Sequence, residues 1–332
     1  MVLAGDVGGT KTILALYPDD APPRRPAVDL MRPSRDYPSL EALIAEIVAT
    51  AGVRPRRAVI GVAGPVVNNR CEATNLPWVV SGDAVGAALG GAEVLLVNDL
   101  EATARGLDEL TAADLETLQR GERTAGNRAL IAAGTGLGES ILVWDGERHR
   151  PTPSEGGHGD FAPANPLQDE LLAWLRARFG HVSLERVLSG PGLADLYRFL
   201  EATGRGSEPR DWAQRFERAE DAAALVTAAA LDGSSERARL ALETFVEVYG
   251  AAAGNLALTA LAVGGVFVGG GIAPRMIAAL RDGRFVRAFC AKGRLAPLLE
   301  RIPLAVVLDP RTALWGAAAL ALRSGALARA VP

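Results

Sequence analysis

The glycine-rich stretch Gly5-Asp6-Val7-Gly8-Gly9-Thr10-Lys11-Thr12 returns in altered form at Ala133-Gly134-Thr135-Gly136-Leu137-Gly138-Glu139-Ser140. Each copy lies between two apolar, strand-like runs: Val2–Ala4 and Ile13–Leu16 around the first, Ala129–Ala132 and Ile141–Trp144 around the second. Two similar hairpins imply two similar domains. Glycine tolerates positive φ and lets a backbone approach a ligand closely, so such turns can aim N–H groups and a threonine hydroxyl at phosphate oxygens. Two phosphate-binding turns facing one nucleotide are one reading; two tight β-turns with no ligand are the other.

At 332 residues the chain is long enough for two domains, each with its own core, and 49% hydrophobic with 22% charged residues is ordinary soluble globular composition. A net charge of −4 leaves no basic footprint, which argues against nucleic acid as a partner. Lys11 and Lys292 are the only lysines, a compositional bias that leaves Lys11 notable for its place beside the first turn. Cys71 and Cys290 are isolated, which suits a reducing compartment and excludes a CxxC-type zinc site. The N-terminus runs straight into a strand with no export signal, so a cytoplasmic setting is expected. Tyr249–Pro274 carries no charge and is long enough to span a bilayer. Its glycines at 264, 265, 269, 270 and 271 break it into a helix and a strand, so a buried core is expected and no membrane contact.

After the first turn come a strand to Tyr17, a proline-rich connection over Pro18–Pro26 and a third run over Ala27–Met31. From Pro38, Leu40, Leu43, Ile44, Ile47 and Val48 recur at helical spacing, and Gly52 stands where a helix stops. Ala58–Ala63 and Glu93–Val97 are buried-strand patterns, so strands alternate with helices and a largely parallel sheet is expected. The hairpin pattern restarts at Ala129, which places the domain change within Glu109–Arg128, a polar stretch read as mostly helical. Helices are expected over Leu171–Phe179, Ser183–Leu200, Trp212–Leu231 and Arg237–Leu261, then strands at Val266–Val268 and Leu304–Leu308. A helix over Thr312–Leu322 is expected to pack back on the first domain, giving a small α/β domain of 1–109 with about 308–332 and a large one of 110–307.

Asn98-Asp99 follows the buried run Val94–Val97, and open α/β sheets bind ligands beyond the carboxyl ends of their strands. A carboxylate there can take a proton from an attacking hydroxyl while the amide fixes its direction. The alternative is an Asn-Asp turn that caps the next helix. Pro153-Ser154-Glu155-Gly156-Gly157-His158-Gly159-Asp160 is polar and glycine-flexed, and a carboxylate and an imidazole three residues apart suit a polyol. A metal reading of Glu155 and His158 lacks further ligands at matching spacing, since His149 and His181 stand alone. Glu185, at an expected helix start, is favoured there by the helix dipole whatever its function. Gly269-Gly270-Gly271 lies between strand and helix, where an adenosine can lie against the backbone or a tight packing turn can form; GxGxxG spacing is absent.

Seven segments stand in order: GDVGGTKT from Gly5, TNLPW from Thr74, NDLEA from Asn98, AGTGLG from Ala133, EGGHGDFAP from Glu155, HVSLERVLSGPGL from His181 and GGVFVGGGIAPR from Gly264. On this set the chain resembles the bacterial glucokinases, of the hexokinase and actin-like ATPase superfamily, over nearly its whole length. The resemblance implies two ribonuclease-H-like (actin-like ATPase) α/β domains flanking a central cleft that holds ATP and glucose. It implies phosphorylation of the 6-hydroxyl of D-glucose, the entry step of glycolysis. By the same likeness Gly5, Asp6, Val7, Gly8, Gly9 and Thr10, with Gly134, Thr135, Gly136 and Gly138, hold the phosphates, and Asp6 helps to position Mg2+. Asp99 is then the catalytic base; Asn98, Glu155, His158 and Glu185 bind the other hydroxyls; Gly269, Gly270 and Gly271 lie by the adenosine. Lys11 stands where related enzymes vary between asparagine and lysine and is given no role. The likeness also implies a homodimer. The related ROK group shares the first turn but carries a cysteine-rich zinc motif after its Glu-x-x-His, which is absent here, and no DNA-binding stretch precedes the first turn. Another hexose, ADP or polyphosphate as donor, and a non-catalytic sugar sensor are the alternatives. The intact Asp99 argues against the sensor.

Overall fold

The structure, a computed structural model, describes residues 1–74, 76–152 and 154–323. Asn75 of the TNLPW motif, Pro153 at the head of the polar loop and residues 324–332 of the expected small domain lie outside the described residues. The chain divides into two compact units, Met1–Ala113 with the residues from Asp309 onward, and Asp114–Leu308.

The first unit begins with β1 (Val2–Val7), β2 (Lys11–Tyr17), β3 (Val28–Pro33) and β4 (Arg57–Val62). It continues with a small hairpin, β5 (Arg70–Glu72) and β6 (Val79–Ser81), and ends its strands with β7 (Glu93–Asn98). The main sheet has the order β3-β2-β1-β4-β7. Its β1–β2–β3 pairs are antiparallel and its β1–β4–β7 pairs parallel, so the sheet is mixed rather than largely parallel. The short glycine turn is the cause, since a tight turn can join only antiparallel neighbours.

Alternation along the strands supplies two cores. Leu3, Leu14, Leu16 and Ile60 face the helix Leu40–Ala51, which buries Leu40, Leu43, Ile44 and Ile47 and ends at Gly52 with φ 65°. Val2, Ala4, Ile13, Ala15 and Val59 face the other way, onto the apolar helix Thr312–Leu322. That last helix also crosses the helix Asp99–Gly106 at backbone contact. A Cβ on Gly316 would run into the carbonyl of Ala102, and one on Gly106 into the carbonyl of Thr312. The end of the chain thereby fixes the helix that starts at Asp99.

The second unit contains β8 (Leu115–Gln119), β9 (Arg128–Ala133), β10 (Leu137–Trp144), β11 (His149–Thr152), β12 (Gly265–Gly269) and β13 (Leu304–Val307), in the order β11-β10-β9-β12-β13-β8. This sheet is mixed as well: β9–β12–β13 pair parallel, and the remaining neighbours antiparallel. The stretch expected to be mostly helical holds β8 instead, because Leu115-Glu-Thr-Leu-Gln pairs with β13 and brings Leu118 onto the core. A partner edge overrode a weak local preference. The expected helix over 183–200 is a 3₁₀ turn at Leu184–Arg186 and a separate helix Gly190–Ala202, started by Ser189, whose Oγ accepts from Gly192 N at 3.1 Å. The expected helix over 212–231 is likewise two, Trp212–Glu217 and Ala222–Asp232, the second capped by Asp221 through Ala224 N at 3.0 Å. The uncharged run from Tyr249 forms the end of the helix Glu236–Ala260 and then β12. Among the described residues no helix is long and apolar enough to cross a membrane.

Candidate active site

In the first unit, β1 and β2 stay paired up to Val7 and Thr12, and the turn between them closes as Gly8 N donates to Lys11 O at 3.0 Å. Asp6 sits one residue before that last pair, beside Gly61 of β4. Asn98 ends β7 beside Val62 and caps the following helix: its Oδ1 accepts from Leu100 N at 2.9 Å and Glu101 N at 3.4 Å. Its Nδ2 donates to Gly64 O at 3.0 Å, and the same side chain bonds to the Asp99 carboxyl. Asp99 is the first residue of the helix, and its Oδ1 accepts from Leu100 N at 2.9 Å.

Gly61 explains how Asp99 comes so low over the sheet. A Cβ at that position would stand 3.0 Å from Ala102 Cβ and 3.9 Å from Asp99 Cα. Burial pushes the Asp6 carboxyl up to about 7, the nearby Asp99 charge adds to this, and Lys11 opposes it. Burial also raises Asp99, against the N–H groups of Leu100 and of Asp99 itself and the Asn98 side chain, which favour its anion.

In the second unit Glu185 and the backbone of the 155–158 loop meet one turn. Gly134 N donates to Gly136 O at 2.8 Å, and Gly190 N donates to Gly134 O at 2.9 Å. Glu185 reaches the same turn: its Oε2 accepts from Leu137 N at 3.0 Å and occupies the side of Gly136 where a Cβ would be. The expectation that a helix dipole steadies Glu185 is corrected, since it lies in a single 3₁₀ turn and its anchor is that one N–H. The 155–158 loop lies on the Leu137 backbone, with no room for a side chain on Gly157. Glu155 and His158 stand outward at its surface, their side chains 85% and 61% exposed and 3.8 Å apart. Thr135 is exposed, and Gly138 lies in β10. Gly270, at φ 83°, presses on the Ala133 carbonyl, whereas Gly271 has nothing within 4 Å of its Cβ position.

Four supporting residues escaped the sequence reading. Ser34 bonds to the first turn from behind. Gly61 carried a signal, because glycine inside an apolar strand marks a close approach. Tyr249, fully buried, accepts from Ala133 N at 3.1 Å and reaches Ile131 O at 3.3 Å and Gly269 O at 3.4 Å, tying the second turn to the glycine run. Glu139, 8% exposed, lies against Gly156 with its carboxyl raised by burial.

A family model described as Glucokinase matches residues 3–324. The glucokinase of Trichormus variabilis is 38% identical over 339 aligned positions, which span 97% of this chain and 99% of that one. The glucokinase of Chromobacterium violaceum is 40% identical over 96% of this chain and 88% of its own. Among solved structures, a glucokinase from an Antarctic psychrotroph matches with a TM-score of 0.82 at 32% identity, covering 96% of this chain and 98% of that one. A Balamuthia mandrillaris glucokinase in complex with glucose shares the fold, with a TM-score of 0.79 at 21% identity over 96% of this chain and 93% of its own.

Proposed function

This chain belongs to the glucokinase family, and on that premise we propose that Asp99 is the base for transfer of a phosphoryl group from ATP to the 6-hydroxyl of D-glucose. The observation that carries this is the placing of Asp99, beyond the carboxyl end of β7 and near enough to Asp6 for the two charges to feel each other. Burial raises its proton affinity, which makes it a better acceptor for the hydroxyl proton as that oxygen attacks phosphorus. Asn98, whose amide bonds to the Asp99 carboxyl, is assigned with it to the attacking hydroxyl.

Phosphoryl transfer leaves the protein mainly positioning and charge stabilisation to perform. The segments Gly5–Thr10 and Gly134–Gly138, each a strand end with its turn, are assigned to the phosphates, one from each ribonuclease-H-like unit. Glu155, His158 and Glu185 take the remaining sugar hydroxyls; the outward side chains of the first two support this. Open space at Gly271 suits the flat face of an adenosine near Gly269 and Gly270.

A magnesium ion fits the donor set at Asp6. Among the described residues no group of three or more His, Cys, Asp or Glu side chains is arranged to hold a metal. Mg2+ is commonly held by one or two carboxylates together with water and substrate phosphates, and a carboxyl pushed up to about 7 gains from a cation beside it. Such an ion would neutralise phosphate charge. A cytoplasmic setting, where Cys71 and Cys290 remain thiols, accompanies the reading.

Asp99→Ala is expected to lower kcat by roughly 10²–10⁴-fold while calorimetry finds glucose binding within a few-fold of the parent. Normal turnover in that variant would remove Asp99 from its role.

A further inference from the structure

Behind the first turn, two hydroxyls form a relay. Ser34, which starts the 3₁₀ turn Ser34–Asp36 after β3, and Thr12 of β2 are both 0% exposed. Ser34 Oγ donates to Gly8 O at 2.6 Å, and Thr12 Oγ1 lies 2.9 Å from Ser34 Oγ. A hydroxyl has one proton, and that of Ser34 goes to the carbonyl, so Thr12 is the donor to Ser34. The order is therefore Thr12 hydroxyl, Ser34 hydroxyl, Gly8 carbonyl. Ser34 also uses its backbone, whose N–H donates to Thr10 O at 3.0 Å.

Two carbonyls of the turn, those of Gly8 and Thr10, are thus pinned by one residue 24 to 26 positions away in sequence. In a trans peptide the carbonyl and the following N–H point opposite ways, so pinning these carbonyls toward Ser34 aims the N–H groups of Gly9 and Lys11 away from it. Hydrogen bonds in series also polarise one another, so a donor on the Gly8 carbonyl strengthens the Gly9 N–H as a donor.

We propose that Ser34, backed by Thr12, is a positioning residue for the nucleotide: it fixes and polarises the peptides of the Gly8–Lys11 turn so that their N–H groups meet phosphate oxygens. The inference rests on the phosphate assignment of that turn. Neither hydroxyl touches substrate, so the effect is felt in nucleotide affinity.

The test compares Ser34→Ala, Thr12→Val, the double variant and Thr10→Val, by KM for ATP, KM for glucose and thermal midpoint. Ser34→Ala removes the donor to Gly8 and leaves the buried Thr12 hydroxyl without its acceptor. It is expected to raise the ATP KM about fivefold or more, with the glucose KM within about twofold and a lower midpoint. Thr12→Val keeps the Ser34 to Gly8 bond and moves the ATP KM less. The double variant removes both partners of the Thr12–Ser34 bond but still leaves the Gly8 carbonyl without its donor, so its midpoint recovers in part while its ATP KM stays high. A purely structural role predicts instead that ATP KM and midpoint recover together, and that result overturns the proposal. An unchanged ATP KM in Ser34→Ala, beside a raised one in Thr10→Val, overturns it too while leaving the turn assigned to phosphate. Should Thr10→Val and Ser34→Ala both leave the ATP KM untouched, the phosphate assignment falls and this inference with it.

Discussion

The two glycine turns are near copies in sequence and are held in different ways. The first is backed by the Ser34 and Thr12 hydroxyls, and its nearest acid, Asp6, lies in the strand below with a carboxyl pushed up to about 7. The second is braced by the buried Tyr249 hydroxyl through Ala133 and by Gly190, and its acid, Glu185, already holds the Leu137 N–H. A short glycine motif sets where backbone donors can go. What keeps them there comes from distant sequence, and each unit found its own solution. The acids differ most: one is short of a partner, the other has taken an N–H of the very turn assigned to phosphate.

The largest effect should come from breaking the second turn's support rather than the turn itself. Gly270→Ala combines φ 83° with a Cβ driven into the Ala133 carbonyl, a backbone atom that cannot swing aside. Chemical denaturation should show a loss of about 2–4 kcal/mol together with a raised ATP KM. Gly134→Ala is the counterpart, with nothing within 4 Å of the new methyl. It is expected to leave stability within about 0.5 kcal/mol and to raise the ATP KM alone. Equal stability losses in the two would erase the distinction between the turn and its brace.

That distinction also marks what could be read in the chain beforehand. Gly5–Thr10 and Gly134–Gly138 were visible as turns because glycine beside apolar runs is a local signal, and Thr312–Leu322 announced itself as a wholly apolar helix. Ser34 gave no such signal: a serine between Pro33 and Arg35 looks like any loop residue until β3 pairs with β2 and carries it behind Gly8. Tyr249 sits in a run legible as buried, yet its partners at Ile131, Ala133 and Gly269 depend on how the helix Glu236–Ala260 lies on β9 and β12. β8 went unseen because edge pairing with β13, not its own polar sequence, makes it a strand. Residues that act by local backbone geometry were readable; those that act across the fold were not. Asn98 was legible as a cap, which it is; that its amide also holds Gly64 and the Asp99 carboxyl was not.

The acid of the first unit can be tested by titration. Asp6 has its ordinary carboxylate affinity when unfolded and one raised to about 7 when folded, so between roughly pH 4 and 7 the native state binds the extra proton. Its contribution to stability is therefore complete below about pH 4 and is lost as pH rises through 7. Asp6→Asn removes this loss, so unfolding measured at pH 5 and pH 8 should show the variant gaining about 1–2 kcal/mol on the parent across that interval. That range is set below the full shift because Asp6 is partly exposed and solvent screens its charge. Millimolar Mg2+ should narrow the gap at pH 8 by favouring the Asp6 anion. A parent and variant that run parallel from pH 5 to 8 would show that burial does not strain the Asp6 carboxylate.

Glu185 tests the other half at smaller scale. Its carboxylate sits on Leu137 N and over Gly136, so it repels any phosphate brought to that turn and occupies one of the turn's N–H groups. Glu185→Gln keeps an oxygen to accept that N–H and removes the charge. Without sugar, a non-hydrolysable ATP analogue is expected to bind the variant about threefold tighter, the scale of one partly screened charge, and added salt should shrink the difference. Glucose should bind more weakly, since the anion assigned to its hydroxyls is gone. If Glu185 leaves Leu137 for the sugar, glucose should tighten the analogue more in the parent than in the variant. Equal tightening in both, measured by calorimetry with and without glucose, would mean that Glu185 does not move between the two partners and that the second turn, unlike the first, meets its nucleotide one donor short.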